Sequence, residues 1–108
     1  MRPYEVMVIY DAELDEAAIR AHVDASTKLL ESNGAELGPV DHWGKRQLAY
    51  RLKRRWEGYY VVLQARSEPA AMNELGRTLG LADEVLRHKV LRIPESVYGK
   101  TLGTPADG

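Results

Sequence analysis

Cations and aromatic side chains are concentrated in the segment 43–60, WGKRQLAYRLKRRWEGYY, and together they could bind a polyanion. Arg guanidinium groups match pairs of phosphate oxygens, and Lys acts as a point charge. The net charge of the whole chain is only -1, so this positive charge is local. RNA is the polyanion that basic residues with aromatic neighbours favour. The predicted RNA-binding cations of the segment are Lys45, Arg46, Arg51, Lys53, Arg54 and Arg55.

Other chemistries have little support in the residue types. The chain has no Cys and only 3 His, which lie far apart, so we expect no metal site and no cofactor. The loop 11–14 is acidic and would repel a phosphate, and no Gly-rich phosphate loop precedes a helix. A small anion-binding enzyme on the same fold and a ligand-binding regulatory dimer stay open as less favoured alternatives.

The length and hydropathy of the chain indicate one domain without a membrane segment. With 108 residues it can bury a core without disulfides or metals. The N-terminal apolar run ends at Asp11, which is too early for a signal peptide, and no run of 18 apolar residues occurs. We therefore expect a cytoplasmic protein that does not contact a membrane.

Hydrophobic periodicity predicts the order strand, helix, strand, strand, helix, strand. This is the α+β class with a ferredoxin-like βαββαβ fold, a four-stranded antiparallel sheet with two helices on one face. Trp56-Glu57-Gly58 is predicted to be the turn between the second and third strands. The domain is predicted to span residues 1–93, followed by a mobile tail at 94–108 that is rich in Gly, Thr and Pro.

The sheet face away from the helices should be polar, but the strand 59–66 has apolar residues on both of its faces. Tyr60 and Val62 fall on the face opposite Tyr59 and Val61. An apolar face bordered by charge indicates an interaction site, so Tyr60 and Val62 are candidates for a protein-partner face. A homodimer would satisfy the same pattern.

Several separated motifs resemble one known family. They are Trp43-Gly44-Lys45-Arg46-Gln47-Leu48-Ala49-Tyr50 with the basic run and Gly58-Tyr59-Tyr60 after it, the opening Arg2, Tyr4 and Glu5, and Val85-Leu86-Arg87-His88. Over residues 1 to about 93 the chain is similar to the bacterial small-subunit ribosomal protein six family. The resemblance implies a ferredoxin-like fold and a structural, non-catalytic protein. It also implies binding to the central domain of small-subunit ribosomal RNA together with ribosomal protein eighteen.

The resemblance adds candidate residues. Arg2 and Arg87 match family positions and join the RNA-binding set, and they would lie near each other if the first and last strands pair. Tyr50 belongs to the matching Leu-Ala-Tyr motif and joins the partner face, although its ring could also cover the edge of the core. Arg51 stands where the family usually has proline. Because arginine has the backbone N–H donor that proline lacks, the strand is predicted to continue past this position.

Two questions stay open at the level of sequence. Trp43, beside Gly44, could stack on a base or close the end of the core. An RRM-type single-stranded RNA-binding domain has the same topology, and Gly58-Tyr59-Tyr60-Val61 is faintly similar to the aromatic motif of its third strand. That motif requires further alternating aromatics, where this chain has Leu63 and Ala65.

Overall fold

The computed structural model describes residues 1–100 and confirms the predicted α+β ferredoxin-like fold. Four antiparallel strands lie in the order β2-β3-β1-β4. Among these residues, no helix is long and apolar enough to cross a membrane. The elements are β1 (Arg2–Asp11), α1 (Glu16–Ser32), β2 (Glu36–Leu52), β3 (Arg55–Ser67), α2 (Pro69–Leu81), β4 (Val85–Arg92) and a 3-10 turn at Glu95–Val97.

The main core lies between the sheet and the two helices. Alternate residues of β1 and β3 point toward the helices, as the period of two requires, with Tyr4 and Val6 on β1 and Val61 and Leu63 on β3. Apolar stripes of both helices pack on them. The helix residues buried in this layer are Ile19, Val23, Leu30, Ala71, Met72, Leu75 and Leu79.

The turn between β2 and β3 differs from the prediction. Leu52 pairs with Arg55, so the turn consists of Lys53 and Arg54, and residues 56–58 already belong to β3. Both turn residues have positive φ, at 46° and 69°. A two-residue hairpin turn of this kind normally carries Asn-Gly or Asp-Gly. Lys53-Arg54 does not have this turn sequence, whereas Gly58 is a residue type typical of turns, so the turn was predicted at residues 56–58.

The β2–β3 hairpin is longer than the rest of the sheet. Asp11, the last residue of β1, pairs with Gly58, so the hairpin residues 47–57 extend beyond β1. Arg51 lies inside β2, which continues to Leu52 as predicted from the missing proline. The register of β2 shifts after Gln47, and Leu48 and Leu52 pack on the sheet face away from the helices. The tip therefore bends over that face.

Residues after β4 contact the sheet at its other end. Arg66 forms an ion pair with Glu95 at 2.6 Å, and its guanidinium lies 4.4 Å from the centre of the Tyr98 ring. The Gln64 side chain accepts a hydrogen bond from the backbone N–H of Gly99 and donates one to the carbonyl of Lys100. The predicted boundary between domain and tail at residue 93 stays a prediction, and residues 101–108 lie outside the described part of the chain.

Candidate nucleic-acid and protein interface

Four of the predicted RNA-binding cations lie on the β2–β3 hairpin and, in the described part of the chain, form neither an ion pair nor a side-chain hydrogen bond to another element. Lys45, Arg51 and Arg54 are exposed and Arg46 is half-exposed. Within residues 1–100 none of them forms an ion pair, and Arg46 donates only to the carbonyl oxygen of Lys45, at 3.2 Å. Their charges are therefore available to an external anion. We call these four residues the hairpin cations.

The other two cations of the basic segment make contacts inside the fold. Arg55 lies 3.2 Å from Asp11 and 3.0 Å from Glu13, both measured between side-chain N and O atoms. Lys53 donates its Nζ to the carbonyl oxygen of Val85 at 2.9 Å. These contacts hold the hairpin against the first loop and against the start of β4. An RNA role for Arg55 and Lys53 stays a prediction.

Arg2 and Arg87 do not lie near each other, so that expectation was wrong. β1 and β4 pair as predicted, but they are antiparallel: Tyr4 lies opposite Arg92, and Arg87 lies opposite Ile9. Arg2 and Arg87 are thus separated by most of the length of β1, roughly 20 Å. Arg87 is on the hairpin side, where its guanidinium donates to the hydroxyl of Tyr50.

A small apolar cluster lies on the sheet face away from the helices. Ile9, Leu48, Tyr60 and Leu86 are buried in it, and Met7, Trp43 and Leu52 pack against them. Above the cluster is a groove of about 210 Å³. The residues that line the groove are Met7, Ile9, Leu48, Ala49, Tyr50, Leu52, Tyr60, Arg87 and Lys89.

The three predicted partner-face residues differ in accessibility. Tyr50 is 55% exposed, whereas Tyr60 and Val62 are each only 4% exposed. Burial is also the main reason that the pKa of Tyr60 is raised. Tyr60 forms part of the groove floor and Tyr50 part of its rim. A partner on this face would therefore touch Tyr50 first, and the role of all three residues stays a prediction.

Trp43 packs inside the protein. Its ring is stacked on Tyr60, with the ring centres 6.4 Å apart and the planes at 14°. Of the two alternatives for Trp43, the structure therefore favours closing the end of a core, here the small apolar cluster.

The aromatic positions do not fit the RRM alternative. Tyr59 is buried on the helix side, and its hydroxyl lies 3.3 Å from Nδ1 of His42. Tyr60 is covered by Trp43 and the hairpin. An RRM stacks bases on exposed aromatics of its central strands, and neither tyrosine is exposed. Among the described residues the exposed aromatics are Tyr50 and Trp56, both on the hairpin.

The perturbed titratable groups have structural explanations. Burial raises the pKa of Tyr10 far above its usual value, and the Tyr10 hydroxyl lies 2.8 Å from Nδ1 of His22. Burial also lowers the pKa of His42, with nearby Arg20 as the next cause. Within residues 1–100, no group of three His, Cys, Asp or Glu side chains could hold a metal ion. The contact between Tyr10 and His22 joins α1 to the sheet, and the contact between Tyr59 and His42 joins two strands.

Trp56 is not among the sequence-predicted site residues, because the sequence predicts it to lie in a turn. In the structure Trp56 is the second residue of β3, and 54% of it is exposed. No pattern in the sequence indicated this exposure, because it depends on where the hairpin turns.

Comparisons with known proteins agree on one family. The family model for ribosomal protein S6 matches residues 3–92. The chain is 44% identical to the small ribosomal subunit protein bS6 of Mycolicibacterium paratuberculosis over 92 residues, 85% of this chain and 96% of that protein. It is 45% identical to the protein of the same name from Nocardia farcinica, with 85% and 97% covered.

Solved structures support the same fold. The crystal structure of 30S ribosomal protein S6 from Thermotoga maritima matches with a TM-score of 0.81 and 27% identity, over 85% of this chain and 87% of that one. The C-terminal domain of the MgtC protein from Mycobacterium tuberculosis matches with a TM-score of 0.56 and 21% identity, over 88% of this chain and 90% of that one. The second likeness shows the fold alone.

Proposed function

Because this chain belongs to the ribosomal protein S6 family and is a structural protein of the small ribosomal subunit, we propose that it binds the central domain of small-subunit ribosomal RNA together with ribosomal protein eighteen. Family membership confirms the predicted ribosomal class, its non-enzymatic nature and its location in the cytoplasmic ribosome. The RNA region and the protein partner are the proposed part, and the resemblance noted in the sequence implies both.

The observation that carries the RNA part is the projecting hairpin with its unpaired cations. The hairpin cations lie along this strand pair. Arg51 and Arg54 extend beyond the end of β1, and Lys45 and Arg46 are level with its last two residues. The helix layer has mixed charge, since α1 carries Glu16, Asp24 and Glu31 together with Arg20 and Lys28. The hairpin is thus the more favourable side for a polyanion.

The groove above Tyr60 supports the protein part. It combines an apolar floor with an exposed tyrosine and two cations, Arg87 and Lys89, at its rim. Interfaces are enriched in tyrosine and arginine around an apolar centre. The groove lies on the bent side of the same hairpin that carries the cations. A protein bound there would border the RNA surface, which fits joint binding.

A salt series tests the proposal. The chain is titrated with a central-domain fragment of small-subunit ribosomal RNA, with and without ribosomal protein eighteen. We expect tight binding when both proteins are present. With contacts from all the hairpin cations, log K should fall against log salt with a slope of about -3 to -4. A folded chain that binds the fragment in neither mixture contradicts the proposal.

The protein interface has its own test in Tyr50→Ala. Truncating an exposed interface tyrosine should weaken binding to ribosomal protein eighteen about tenfold or more, measured by titration calorimetry. Leu81→Ala is the matched control, because Leu81 is also an exposed apolar residue but lies at the end of α2, in the helix layer. Equal affinities for the Tyr50→Ala and unmodified proteins would place the partner elsewhere.

A further inference from the structure

Trp56 is a large apolar side chain that the fold leaves uncovered. It belongs to neither apolar cluster, and 54% of it is exposed, whereas Trp43, the other tryptophan, is stacked on Tyr60. Its position near the hairpin tip also keeps it beyond the end of β1. More than half of the residue is therefore accessible to a ligand.

Charges of both signs lie around this indole. Trp56 lines a groove with Lys45, Arg54 and Arg55, with Glu57 and with the loop 11–15. Arg55 pairs with Asp11 and Glu13, and Asp15 accepts from the N–H of Ala18 as the cap of α1. Glu57, Lys45 and Arg54 form no ion pair within residues 1–100. Lys45 and Arg54 are therefore two cations beside the indole that no carboxylate of the described fold engages.

The hairpin turn next to Trp56 keeps an unfavourable backbone. Lys53 and Arg54 both have positive φ, a region that side chains other than Gly, Asn and Asp rarely occupy. Residues in this region persist only where the surrounding structure holds them, and they cluster at functional sites. Both side chains are exposed: Lys53 donates to the carbonyl of Val85, and Arg54 lines the groove with Trp56. The turn therefore places in the groove a cation that has no ion pair among the described residues.

From these contacts we propose that Trp56 is a stacking platform for an unpaired base of the bound RNA, with Lys45 and Arg54 holding the adjacent phosphates. The inference rests on the proposed RNA function and names the nucleotide chemistry of one site within it. Stacking on an aromatic face requires a base outside a duplex, and it tolerates any base because every base has a π-face. The carboxylates of the loop 11–15 and of Glu57 disfavour phosphate in the rest of the groove.

The first test separates stacking from charge. In the mixture with ribosomal protein eighteen and the central-domain RNA fragment, Trp56→Ala should lower RNA affinity about tenfold and leave the salt slope unchanged. Trp56→Phe should restore most of the affinity, because phenylalanine keeps an aromatic face. Arg54→Gln should instead reduce the steepness of the slope by about one unit. Affinity of Trp56→Ala equal to that of the unmodified chain overturns the stacking site.

The second test uses the two tryptophans as reporters. In Trp43→Phe the only indole of the chain is Trp56, and in Trp56→Phe it is Trp43. Adding RNA to the complex with ribosomal protein eighteen should quench emission of Trp43→Phe and leave Trp56→Phe nearly unchanged. A change in Trp43→Phe emission on adding ribosomal protein eighteen alone would assign Trp56 to a protein contact and overturn the inference.

Failure of the inference can be told apart from failure of the proposed function. If the unmodified chain binds the fragment with the expected salt dependence but Trp56→Ala binds equally well, only the stacking site is refuted. If the unmodified chain does not bind the fragment at all, the stacking site and the proposed RNA function are both refuted.

Discussion

Replacing Arg46 and Arg54 together with glutamate should lower RNA affinity roughly a hundredfold or more, since each charged contact contributes about 1.5–3 kcal/mol. The slope of log K against log salt should become shallower by about two units, because two phosphate contacts are lost. Neither residue forms an ion pair within residues 1–100, so the fold should be unchanged. Filter binding across a salt series measures both quantities, and circular dichroism checks the fold.

The matched control is Arg20→Glu with Lys28→Glu on α1. It changes net charge by the same amount but on the helix layer, where both residues are exposed. We expect a much smaller loss of affinity and an unchanged slope. If the folded hairpin variant keeps the slope of the unmodified chain, or if the helix variant loses as much affinity, the RNA surface lies elsewhere.

A methyl group at position 58 should strongly destabilise the domain. A Cβ on Gly58 would lie 2.3 Å from Cγ2 of Ile9, a stiff side chain that is buried in the small apolar cluster. Leu48 and the carbonyl of Tyr10 are the next atoms, at 3.5 Å and 3.6 Å, so Ile9 has little space to move. Gly58→Ala should cost about 1–3 kcal/mol and lower the melting temperature by roughly 5–20 °C.

Gly76→Ala provides the contrast. Gly76 lies inside α2, and its added Cβ would be in ordinary contact, 3.9 Å from Nε2 of His88. Alanine is favoured over glycine in a helix by about 0.8–1.0 kcal/mol, so this variant should be more stable than the unmodified protein. Thermal unfolding followed by circular dichroism compares the two. If Gly58→Ala and Gly76→Ala had similar melting temperatures, Ile9 would be able to move away from the added Cβ without loss of stability.

The sequence was sufficient for the fold because local patterns and packing agree. The alternation in β1 and β3 and the stripe of Ile19, Val23 and Leu30 in α1 each match one buried surface. The hairpin turn could not be predicted, because Lys53 and Arg54 occupy a backbone conformation that their residue types disfavour. Tertiary contacts of Lys53 with Val85 and of Arg55 with Asp11 hold that turn.

The candidate site was predictable as a segment but not residue by residue. A run of like charges is visible in the sequence. Which of these cations contact other parts of the fold, and which do not, depends on residues that are distant in the sequence. Arg55 meets Asp11 over a distance of 44 residues, and Arg87 meets Tyr50 over 37. Trp43 and Trp56 likewise look equivalent in the sequence, and only the position of Tyr60 separates them.

The strand order has a consequence for synthesis of the chain. β1 is synthesised before its two neighbours in the sheet, β3 and β4. Arg2 can pair only after Ser67 has been synthesised, and Tyr4 can pair with β4 only after Arg92 has been synthesised. At roughly 5–20 residues per second, the nascent β1 stays without its sheet partners for several seconds. Its apolar residues are exposed during that time, and only α1 and β2 are available to shield them. Completion of the sheet therefore requires β4, the last of the four strands to be synthesised.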